Sequence, residues 1–98
     1  MVEYVMSLSF PNQSRSYEPT RNGVRFWAYD EVFEITFFVD VGVFYRPDSW
    51  AAPNEQEVLD AFDRSRSQIQ AFAERAYIRH NRSTYILTAA NCREADKR

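Results

Sequence analysis

The sequence predicts an α+β domain: an antiparallel sheet of three to four strands with one long helix packed on one face. Three observations predict it. Between Val24 and Val39, apolar and polar residues alternate around a single break, the pattern of a hairpin with one buried face. From Val58 to Tyr77, apolar residues recur three or four apart, the pattern of an amphipathic helix. A shorter alternation over 83–89 supplies a last strand.

At the N-terminus, Tyr4, Met6, Leu8 and Phe10 alternate with Val5, Ser7 and Ser9, which predicts a short strand ended by Pro11. Residues 11–23 are rich in Pro, Asn, Ser and Gly and are expected to form a loop, with a brief strand around Tyr17. Asn22-Gly23 marks a turn, since both residues tolerate positive φ.

In the hairpin, Val24, Phe26, Ala28, Phe33, Ile35, Phe37 and Val39 fall on one face. Pairing Val24 with Phe37, Phe26 with Ile35 and Ala28 with Phe33 keeps that face apolar, whereas a one-residue slip mixes the faces. Asp30-Glu31 is a poor pair for a tight primed turn, so a four-residue loop is expected.

Pro47, Pro53 and Asn54 mark a connection, and Asn54 with Glu57 forms a capping box. The helix then runs to about Arg79, with one gap in its apolar stripe at Arg66. Its core-facing residues, Phe62, Ile69 and Phe72, should meet Phe26, Ile35 and Phe37. The whole chain, 1–98, is expected to be a single domain, with 1–7 as an extension and 91–98 as a polar, frayed tail.

The residues also resemble a known family. The stretches FPNQSRSYEPTRNGVRFWAYD, EITFFVD, LDAFDRSRSQIQAFAERAYIR and YILTA cover most of 8–90 and are similar to the bacterial family catalogued as domain of unknown function 1488. VGVFYRP and AANC depart from that family's pattern. The resemblance implies a small α+β protein of unassigned function and carries over no catalytic residue.

Composition narrows the function classes. The 98 residues are 45% hydrophobic and 16% aromatic, with a net charge of −2, which argues against strong non-specific binding to nucleic acid or anionic membrane. A single cysteine, Cys92, excludes an internal disulfide and fits a reducing compartment. Met1–Met6 lacks the basic and long apolar regions of a signal peptide, and no run is long enough to span a membrane. A cytoplasmic location is therefore expected.

No catalytic set emerges. His80 is the only histidine and sits among arginines, with no second ligand for a usual zinc site. Cys92 has no evident activating base. Neither a metal nor a cofactor is expected, and no enzyme activity is assigned. Two surfaces remain. The non-core side of the hairpin carries Arg25, Trp27, Tyr29, Glu34, Thr36 and Phe38, joined by Ile86 if the last strand enters the sheet. Arg25, Trp27, Tyr29 and Phe38 are the expected interaction surface for an unknown protein or a second copy of the chain, as a homodimer. The alternative is a nucleic-acid-associated accessory protein, with Arg64, Arg75, Arg79 and Arg82 as phosphate contacts along one stripe of the helix.

Overall fold

A computed structural model describes residues 8–11, 13–45, 54–78 and 81–96, with the backbone alone beyond Cys92. The expected first strand before Leu8, the prolines of the connection, Arg79 and His80 lie outside the described residues.

Among the described residues, five strands form one sheet: β1 (Leu8–Ser9), β2 (Arg15–Glu18), β3 (Gly23–Asp30), β4 (Phe33–Asp40) and β5 (Thr84–Leu87). A 3₁₀ turn (Val41–Val43) follows β4, and the helices are α1 (Glu55–Arg64), α2 (Arg66–Ala76) and α3 (Ala89–Asp96). β1 and β2 share the outer edge of β3, at opposite ends of it; β4 and β5 continue the sheet on the other side.

The sheet is mixed rather than purely antiparallel, because β5 runs parallel to β4. Parallel neighbours need a crossover, and α1 with α2 supply it.

The hairpin joins the expected faces in a different register. Val24 opposes Val39, Phe26 opposes Phe37, Ala28 opposes Ile35 and Asp30 opposes Phe33. The loop is a two-residue turn, with Glu31 at a φ of 59°. A shift of two residues leaves every side chain on its face, so alternation alone could not detect it. Asp30 closes the ladder, and its side chain lies in the interior. The Tyr77 hydroxyl donates to its Oδ2 at 2.6 Å, and Asp30 is 1% exposed. Phe33, opposite it, is 56% exposed instead of buried, since the tight turn carries it to the end of the sheet.

The capping box forms. The Glu57 N–H donates to Asn54 Oδ1 at 2.8 Å, and the Asn54 N–H donates to Glu57 Oε1 at 3.3 Å. The expected single long helix is two helices, broken at Ser65, whose ψ is 11°. Its N–H reaches both Ala61 O and Phe62 O at 3.1 Å, a tightened last turn. The apolar gap at Arg66 coincides with this break. The Arg66 guanidinium lies over the Phe62 ring, 4.9 Å from its centroid, where a hydrophobic side chain would otherwise stand. α2 ends at Ala76, earlier than expected, and Tyr77 turns off to reach Asp30.

One face of the sheet packs on the helices. Phe26 stacks on Phe37 with centroids 5.4 Å apart, and Phe62 closes on Phe26 at the same distance. Tyr85 extends the cluster from β5, 5.5 Å from Phe37. Ile69, Phe72 and Ala73 of α2 are buried in the same core. Residues 89–96 are helical, not a frayed tail, and Cys92 is buried at 6% exposure against that core.

An ion-pair cluster ties β2 to α1. Arg15 clasps Asp63 with two bonds, Nε at 3.1 Å and Nη2 at 2.9 Å, and Arg66 Nη2 reaches the same carboxylate at 2.7 Å. Burial alone would raise the Asp63 carboxyl, but the bonds and charges of the two guanidinium groups outweigh it and hold it below its ordinary value. A depressed folded value contributes stability that is present above the unfolded value and lost as pH falls through the folded one. With Asp63 41% exposed, screening keeps each pair to about 1 kcal/mol or less. Asp63→Asn should therefore melt slightly below wild type near neutrality. Melting curves should converge once the pH drops below the usual aspartate range.

Candidate interaction face

The second face of the sheet has none of the described helices on it. The register sets its rows. Trp27, Thr36 and Thr84 lie across β3, β4 and β5, and Arg25, Phe38 and Ile86 form the next row. Tyr29 stands opposite Glu34, and Ser16 and Glu18 of β2 continue the face beyond Arg25 and Gly23. β5 does join the sheet, so Ile86 falls on this face as expected, 49% exposed.

Of the four expected surface residues, Arg25, Trp27 and Tyr29 are half-buried and present themselves here. Phe38 does not: it is 4% exposed. The Arg21 guanidinium covers its ring, 4.4 Å from the centroid. Gly23 lets the ring lie flat against β3, since a Cβ at that position would stand 2.3 Å from Phe38 Cζ and 2.8 Å from the Val39 carbonyl oxygen. The residue type at 23 was legible as a turn glycine, yet its φ is not positive. Asn22 takes the left-handed conformation, at 53°, and Gly23 serves close approach.

The charges of the face are mostly partnered within it. Arg25 pairs with Glu18 across β2 and β3. Tyr29 Oη donates to Glu34 Oε2 at 3.2 Å. The Glu34 carboxylate holds the Tyr29 hydroxyl above its ordinary value, first through its charge, then by accepting that bond, with burial adding to both.

Of the four arginines expected on one helical stripe, Arg79 lies outside the described residues, and the other three have different surroundings. Arg64 lines a cleft with Arg15 and Arg66 beside the helix break. Arg82 lines a separate, smaller cleft with Phe33 and Tyr77. Arg75 lies over the ring of Phe72 on α2, 5.7 Å from its centroid. Arg15 and Arg66 escaped the sequence because their meeting depends on the docking of β2 on α1. Among the described residues, no three side chains of the metal-ligating types converge. No described helix is long and apolar enough to cross a membrane.

Residues 8–87 match the model of a family described as Protein of unknown function (DUF1488). A crystal structure of a protein of unknown function from that family, from Shewanella loihica PV-4, shares the fold. Its TM-score is 0.63 at 17% identity, over 84% of this chain and 94% of that one. No curated protein matches the sequence.

Proposed function

We propose that this chain, which belongs to the DUF1488 family, is a non-enzymatic domain that associates with a second copy of itself through the face of the sheet opposite the helices. The observation that carries the proposal is the row of Trp27, Thr36 and Thr84, flanked by Tyr29 and Ile86, on a face that none of the described helices covers. Interfaces place apolar and aromatic groups, here Trp27, Tyr29 and Ile86, at the centre and charges at the rim. Here Arg25 is already neutralised by Glu18, so burial desolvates a pair rather than a lone cation. A two-fold axis sets the row against itself without any further sequence, and closed two-fold dimers are the commonest oligomers.

Sedimentation at micromolar concentration tests this. The wild-type chain should sediment as a dimer and Trp27→Glu as a folded monomer, because a carboxylate is costly in a dry interface and harmless on a wet surface. A wild-type monomer, or a Trp27→Glu chain that unfolds instead of dissociating, refutes the assignment. Among the described residues, Arg64 and Arg82 line different clefts, which gives a nucleic-acid track no comparable support.

A further inference from the structure

The geometry points to a second site, distinct from the sheet face: the cleft between β2 and the break of α1 and α2 binds a phosphate monoester through Arg15, Arg64 and Arg66. The cleft measures about 610 Å³, a volume suited to a small molecule. Its wall holds those three guanidinium groups with Gln13, Asp63 and Ser67. One carboxylate against three arginines leaves two positive charges, which matches the dianionic form of a phosphate monoester.

Two of the arginines are pre-positioned. Asp63 accepts from both Arg15 and Arg66, and the Gln13 carbonyl oxygen takes a further bond from Arg66 Nη2 at 3.1 Å. The Arg66 side chain is 16% exposed, with its plane on Phe62, so it loses little freedom on binding. Each guanidinium carries five N–H donors, and the bonds to Asp63 and to the Gln13 carbonyl oxygen use only some of those of Arg15 and Arg66. Arg64 is exposed and is not used in any ion pair among the described residues.

The helix break adds to this. α2 begins at Arg66, and its N-cap, Ser65, makes no side-chain cap bond. Ser67, in the first turn of α2, also lines the cleft. Among the described residues, Arg15, Arg64 and Arg66 share this one compact volume, while Arg82 lines a different cleft. This favours a single terminal phosphate on a small molecule over the repeated phosphates of a nucleic acid.

The test is a titration of the isotope-labelled full chain with inorganic phosphate at constant ionic strength, followed by backbone and arginine Nε resonances. Saturable shifts should concentrate at Arg15, Arg64, Arg66 and Ser67. A 5′-mononucleotide should compete for the same resonances. Arg64→Gln should weaken phosphate binding about tenfold, the loss of one charge-assisted contact, with the melting temperature unchanged. Chloride at equal ionic strength giving the same shifts overturns the site, as does an affinity unaffected by Arg64→Gln. A single-stranded oligonucleotide that binds while phosphate is silent overturns it in favour of a polymer ligand.

Discussion

Replacing Phe62 with alanine should lower the free energy of unfolding by about 3–5 kcal/mol, the range for emptying a large aromatic site in a packed core. Phe62 is fully buried and holds three groups at once. Its ring tilts against Phe26 from the sheet, meets the edge of Phe44 at 5.7 Å, and carries the Arg66 guanidinium on its outer side. Removing it opens a cavity on the sheet and also takes away the surface on which Arg66 rests at the helix break. The denaturant midpoint should fall while the slope of the transition stays the same. A midpoint within error of wild type would show that α1 is not the element that seals the core. Phe62→Leu, which keeps most of the volume, should recover a large part of the loss.

Tyr77→Phe should cost about 1.5–3 kcal/mol, the scale for a hydrogen bond to a charged partner inside a protein. The substitution keeps the ring, so its edge contact with Tyr85 at 5.7 Å persists, and only the oxygen that donates to Asp30 is lost. Asp30 is 1% exposed, so a donor removed from its carboxylate is not readily replaced by bulk water. Thermal unfolding of Tyr77→Phe measures the loss directly. In a double-mutant cycle with Asp30→Ala, which removes the acceptor, the two effects should be strongly non-additive, as expected for partners in one bond. Additive effects would place the role of each residue elsewhere.

The faces of the hairpin were legible in the sequence because alternation with period two is a strong signal. Its register was not. Displacing the pairing by two residues preserves both faces, and the bond that Asp30 makes at the end of the ladder joins it to Tyr77, far away in the chain. The capping box at Asn54 was legible because it is local. The helix break left a trace, the missing apolar residue at Arg66, but nothing local shows that a guanidinium on Phe62 fills the gap. β5 was found and its direction was not, since a four-residue alternation reads the same in either sense. In α3, Cys92 is the one buried side chain among those described, too little for a periodicity. On the candidate face, alternation sets Trp27 and Tyr29 opposite the core-facing residues of β3, and both are half-buried. The burial of Phe38 is not legible in the strand pattern, because its cover, Arg21, comes from a turn.

The parallel junction of β4 and β5 has a consequence for the order in which the protein folds. The β3–β4 hairpin closes over two residues and can form within microseconds. β5 must find β4 across the whole crossover, from Asp40 to Thr84, so its entropy of closure must be met before its hydrogen bonds can repay it. The hairpin and the helices therefore assemble first, and β5 zips on last. In a refolding experiment with pulsed hydrogen exchange, the amides of Tyr85 and Leu87 should gain protection after those of Phe26 and Phe37. Until they do, the β4 edge is an open template, and the nascent chain is most vulnerable to mispairing during that interval.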